Sequence, residues 1–148
     1  MLIQLTPEQI SKYYNDIEAG IKVSVPPLAK SSPEVVTRVM ERLIGGTMQA
    51  WMLVDWTGPE KAPTIYALAV TVLYPDIGSG YLNLLIYALY GYVLVPDALW
   101  REGLETLKKY AASVGAGNVV AFTRVPRIVQ IVEALGGDTA TRFISLEV

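Results

Sequence analysis

The chain has no cysteine and no histidine. The first absence removes disulfides and thiolate nucleophiles. The second removes the side chain whose ordinary pKa lies near neutrality. Together they exclude the usual nitrogen and sulfur ligand sets for zinc. A metal site would need oxygen ligands, and the carboxylates are not clustered as in a Ca²⁺ loop, so no metal is expected. Charge is also scarce. Charged residues make up 18% of the chain, and between Lys61 and Arg101 the only charges are Asp76 and Asp97. The formal net charge is −2, with no basic patch, so no nucleic-acid partner is expected. The start, Met1-Leu2-Ile3-Gln4, lacks the basic and long apolar segments of a secretory signal. The lack of cysteine fits a cytoplasmic location.

What the chain has instead is apolar surface to bury. Its 148 residues are 52% hydrophobic, which suits one domain, 1–148, with a sizeable core. The run from Ile77 to Pro96 has the length of a membrane span. It is diluted by Gly78, Gly80, Gly91, Ser79 and Asn83, and by Tyr81, Tyr87, Tyr90 and Tyr92. Its neighbours read as strands, so a buried strand followed by a loop fits better and no membrane partner is expected.

Leu2–Leu5 reads as a first strand. Thr6-Pro7-Glu8-Gln9 is a capping-box start for a helix that ends near Gly20. Ser32-Pro33-Glu34 starts a second helix, with Val35, Val36, Val39, Met40 and Leu43 as its buried stripe and Gly45-Gly46 as its stop. Gln49–Trp56, Thr64–Tyr74 and Tyr81 to Tyr90 or Tyr92 form three strands with short turns, an antiparallel meander. Ala98–Val114 is amphipathic and helical, with Leu99, Leu104, Leu107, Tyr110 and Ala111 inward and Gly115 as C-cap. Asn118–Arg124 reads as a buried strand, Pro126–Leu135 as a short helix, and Thr139–Val148 as a last strand. The order β-α-α-β-β-β-α-β-α-β predicts a mixed α/β (α+β), mainly antiparallel sheet with helices on both faces.

This order resembles the GNAT (Gcn5-related N-acetyltransferase) superfamily fold. The stretch Leu104–Val148 is similar to the family's second half: a helix ending in Ala-x-x-x-Gly (Ala111 to Gly115), a strand, a helix ending in Gly136 and a last strand. The meander Gln49–Tyr92 resembles its central hairpin and splayed fourth strand. The resemblance implies acetyl-CoA as cofactor, its pyrophosphate on the loop between the fourth strand and the next helix. Family loops read Arg/Gln-x-x-Gly-x-Gly/Ala. The matching region here, roughly Leu94 to Leu99 (LVPDAL), has neither the Arg nor the glycines. The implied cofactor-binding residues are Leu94, Val95, Asp97 and Ala98. Arg124 and Arg127, which bracket Pro126, are added as partners for an anion such as the CoA 3′-phosphate. Asp97 reads more simply as a helix N-cap, where its carboxylate already occupies the positive dipole end. The family's Tyr general acid falls on Val132, and no Asp or Glu lies between Asp76 and Asp97 to act as a base.

Tyr87 and Tyr90 are the catalytic candidates, as proton donors, with packing in the core or a cleft wall as the simpler reading. Trp51 reads as core and Trp56 as partly exposed. Two functions follow from the resemblance. One is an acyl-CoA-dependent N-acyltransferase (an N-acetyltransferase when acetyl-CoA is the donor), acting on a small-molecule or protein acceptor through positioning and backbone N–H groups near Tyr87–Tyr90. The other is a catalytically inactive GNAT-fold binding or regulatory module, of the kind carried by viruses and mobile elements. A cleft plugged by Trp100 and Leu94 would count against CoA binding. Edge strands near the C-terminus suit a homodimer.

Overall fold

The computed structural model describes residues 1–27, 29–56 and 58–148. The elements run β1 (Leu2–Gln4), α1 (Pro7–Lys12), α2 (Tyr14–Ser24), α3 (Pro33–Ile44), β2 (Gln49–Asp55), β3 (Thr64–Pro75), β4 (Leu82–Gly91), α4 (Asp97–Ser113), β5 (Asn118–Ala121) and α5 (Pro126–Ala134). The strands form one sheet in the order β1-β2-β3-β4-β5. All neighbours are antiparallel except β4 and β5, which run parallel.

Alternation along β2 explains the two layers. Ala50, Met52 and Val54 point into a core built with Ile17, Ile21, Val36, Val39, Met40 and Leu43 of α2 and α3. Trp51 points the other way, into a core with Leu84, Ile86, Leu107 and Ala111. Helices therefore cover both faces of the sheet, as period-2 patterning with no polar face requires. The Trp51 indole N–H would be costly to bury alone. It donates to Thr71 Oγ1 at 2.9 Å, and Thr71 in turn donates to Gln49 Oε1 at 3.0 Å.

Four sequence expectations change. The first helix breaks at Tyr13, so α1 and α2 are separate, and α2 runs through Gly20 to Ser24. Gly20 does not stop the helix; it lets the helix approach the sheet. A Cβ there would lie 3.0 Å from Leu68 Cδ2 and 3.4 Å from Tyr90 Cδ1. β4 gives β5 a partner for only four residues, so β5 ends at Ala121 rather than Arg124. Thr139–Val148 alternates as a strand should but forms none. Alternation alone does not make a ladder: a strand needs an edge to pair with, and this segment takes none. Phe143 meets Phe122 edge-on at 5.5 Å, while Ile144, Leu146 and Val148 stay exposed. The Ile77–Pro96 run is a turn, β4 and a loop, and among the described residues no helix is long and apolar enough to cross a membrane.

Candidate functional site

β4 and β5 pair from Asn83↔Asn118 to Ile86↔Ala121 and then part. Beyond Ile86, the strand from Ala88 to Gly91 is paired, among the described residues, only with β3. The parting coincides with a register shift: Val70 faces Ala88 while the next residue, Thr71, faces Ile86, so Tyr87 is an extra residue in β4. A bulge of this kind bends its strand and raises its twist. The result is a wedge between two parallel strands, walled on one side by unpaired backbone.

The helix N-termini that follow these strands sit at the open end of the wedge. α4 begins at Asp97 after Pro96, and no side chain among the described residues caps it. The N–H groups of Leu99 and Trp100 both donate to the Pro96 carbonyl. Those of Asp97 and Ala98 have no acceptor among the described residues. Asp97 was expected as N-cap; it is instead the first helical residue, because the extended Pro96 (φ −59°, ψ 146°) takes the cap position. Its carboxylate turns to Arg127, in the first turn of α5. Arg127 Nε lies 3.0 Å from Asp97 Oδ1, and Arg127 Nη2 also reaches the Val95 carbonyl at 3.0 Å. Arg124 is exposed and makes no ion pair among the described residues.

Leu94 is 81% exposed, while Val95 is buried with Leu53 and Ala67, and Trp100 packs on that cluster. Neither Leu94 nor Trp100 acts as a plug. Trp51 is core and Trp56 is 58% exposed, as their surroundings in the sequence indicated.

Tyr87 packs against the α1–α3 core, and burial pushes its phenol above the ordinary tyrosine value, partly offset by the charge of Arg42. Tyr90 lies beside Gly20 of α2 and meets Tyr92 edge-on, with ring centroids 5.1 Å apart. Tyr92 donates to the Asp16 carbonyl at 2.9 Å, which ties the end of β4 to α2. Burial first, then the nearby Asp16 charge, push its phenol up to about 12. The structure thus brings Val95, Asp97 and Arg127 together at one helix end. Tyr87 and Tyr90 lie along the stretch of β4 that has no β5 partner, and Arg124 stands apart.

Sequence reasoning missed the Asp97–Arg127 pair, though a signal existed. Parallel strands followed by helices bring the helix starts side by side, and opposite charges stand within two residues of both starts. It also missed the bulge, for which the sequence Leu84-Leu85-Ile86-Tyr87-Ala88-Leu89 holds no glycine or proline cue.

No protein-family model and no curated protein sequence matches the chain. Solved structures do match. The chain superposes on AAC(6')-Iy in complex with the bisubstrate analogue CoA-S-monomethyl-acetylneamine, with a TM-score of 0.68 at 9% identity over 99% of this chain and 96% of that one. It matches glucosamine-6-phosphate N-acetyltransferase from Arabidopsis thaliana with a TM-score of 0.63 at 15% identity, over 99% and 97% of the two chains. A transcriptional regulator from Bacillus halodurans C-125 gives a TM-score of 0.67 at 11% identity, over 100% and 99%. This chain has the GNAT fold. The GNAT architecture accounts for the parted parallel strands and the helix start at their open end. At these identities the likeness fixes the architecture and leaves the chemistry to the site's own residues.

Proposed function

We propose that this chain is an N-acyltransferase of GNAT type that takes an acyl-CoA, with acetyl-CoA as the reference donor, into the wedge between β4 and β5. The observation that carries this reading is the coincidence of the Tyr87 bulge with the end of β4–β5 pairing, which leaves the Tyr87–Gly91 backbone free on one side. When bound, the thioester supplies an activated acyl group to an amine. The free backbone of Tyr87–Gly91 holds and polarises the acyl carbonyl. Tyr87, a phenol whose pKa burial raises further above neutrality, is a donor and not a base. As the amine nitrogen bonds the acyl carbon and the C–S bond breaks, Tyr87 or Tyr90 would give the departing thiolate its proton and take back the proton that the acylated nitrogen sheds.

The site fits a pyrophosphate after one exchange. The unpaired N–H groups of Asp97 and Ala98 and the Arg127 guanidinium are suitable donors, and Leu94, Val95 and Arg124 would border the ligand. The Asp97 carboxylate occupies the same dipole end, so Arg127 must transfer its charge from Asp97 to the phosphate. This internal ion pair also supports a second reading, in which the fold is kept as a binding or regulatory module without catalysis. The transcriptional regulator among the solved structures of this fold supports that alternative.

Isothermal titration with acetyl-CoA, against desulfo-CoA and ATP, separates the readings. Micromolar binding followed by release of free CoA with an amine panel supports the enzyme. Binding without turnover supports the module. No binding at millimolar ligand ends the acyl-CoA reading altogether. The proposal includes a homodimer joined along the outer edge of β5, the last strand of the sheet, whose far side pairs with nothing among the described residues. Light scattering that shows a monomer at high concentration would remove that part.

A further inference from the structure

A second opening lies on the α1–α3 face, away from the wedge. It is a cavity of about 230 Å³ between α1 and strands β1, β2 and β3. Leu5, Met52 and Val54 line it, and each is at most 6% exposed, so the space reaches into the packed core. Tyr13 and Trp56 add aromatic surface at its rim.

The polar part of the lining is one-sided. Gln9 Oε1 already accepts the Thr6 N–H at 2.9 Å, which leaves its NH₂ as the free end. Lys12 Nζ is held 5.3 Å from the centroid of the Tyr13 ring. No carboxylate lines the cavity among the described residues. An apolar space whose polar lining carries a cation and an amide donor and no carboxylate among the described residues favours a ligand with an apolar body and one negative group. Size narrows the body. An engineered apolar cavity of about 150 Å³ takes up benzene. A space of about 230 Å³ therefore suits one ring with a short acidic arm.

We infer that this cavity binds a small aromatic monocarboxylate, with its ring against Leu5, Met52 and Val54 and its carboxylate on Lys12 and Gln9. The site is separate from the acyl-CoA reading and stands or falls without it.

The test titrates phenylacetate, its neutral isostere phenylacetamide, and acetate into the full chain, following amide and indole N–H shifts by NMR. Phenylacetate gives a saturable shift at Trp56 with a Kd of about 0.1–1 mM, the range expected of a ten-atom ligand. Phenylacetamide binds at least tenfold more weakly, and acetate does not bind. Lys12→Met keeps the aliphatic stem, lowers phenylacetate affinity tenfold or more and leaves phenylacetamide unchanged; Lys12→Arg retains binding. Lys12 is exposed, so circular dichroism and Tm should match the parent. Arg127→Gln, in the wedge, leaves phenylacetate binding intact, and loss of binding there would assign the ligand to the wedge and overturn the proposal. Equal affinity for acid and amide, unchanged affinity in Lys12→Met, or no saturable shift at about 10 mM would each overturn it too.

Discussion

Arg127 and Asp97 join two helix starts: the guanidinium of α5 lies 3.0 Å, through Nε, from the carboxylate at the first residue of α4. The same guanidinium holds the Val95 carbonyl, so one side chain fixes both the loop and the helix end. Asp97→Asn removes the negative charge from the dipole end and frees Arg127. Acetyl-CoA affinity should rise about two- to fivefold, the size of one charge–dipole interaction at an exposed helix end. Arg127→Gln should lower it by tenfold or more. Calorimetry on both variants decides, and equal affinities would remove Arg127 from the site. Both groups are substantially exposed, so the stability change should stay within about 1 kcal/mol.

Gly20 lets α2 pack close against the sheet, where an added Cβ would meet Leu68 and Tyr90. Gly20→Val places branched bulk against Leu68, which is 1% exposed, and against Tyr90. Overpacking of this kind costs about 1–3 kcal/mol, more than the few tenths that valine gains over glycine in helix propensity. Urea denaturation should show that loss, and an unchanged midpoint would mean that α2 can move away freely.

Thr71 has no exposed surface and links Trp51 to Gln49. Thr71→Val keeps the shape but leaves a buried indole N–H without an acceptor. The expected cost is about 1–3 kcal/mol, and Thr71→Ser should recover most of it. Equal stability for the valine and serine variants would show that the hydroxyl contributes nothing.

Tyr92 provides a pH signature. Its folded pKa is raised to about 12 from an ordinary value of 10.0. Below pH 10 the phenol is protonated in both folded and unfolded chains. Above it, the unfolded chain ionises first, so stability falls as pH rises from 10 towards 12. Spectrophotometric titration of the parent against Tyr92→Phe should assign the late-ionising phenol, and the variant's stability should fall less over that interval. Loss of the bond to Asp16 should cost about 1 kcal/mol at neutral pH.

Much of the architecture was legible because it rests on local signals. Thr6 and Ser32 cap helices where their hydroxyls were read as caps, and Gly115 adopts φ +79° just past α4. The meander follows from turn residues between β-branched runs. What stayed hidden depends on partners distant in sequence. Gly20 looks like a helix stop until Leu68 and Tyr90 are known to press on it. Thr139–Val148 has a strand's pattern but no edge to join. For the site, Asp97, Val95 and Arg127 were named singly, and only the adjacency of two helix starts shows them as one unit.

The bulge in β4 has a consequence for counting. In a regular strand, residues an odd number apart point to opposite faces. Tyr87 and Tyr90 are three apart, yet Tyr87 packs on the α1–α3 core and Tyr90 lies against α2. On the opposite face, Ile86 and Leu89, also three apart, share the α4 layer. The extra residue resets odd and even midway along the strand. Removing one residue at Tyr87 would restore regular pairing and still leave every later side chain where it is. Removing one after Tyr90 would not, because no second irregularity follows to absorb the change.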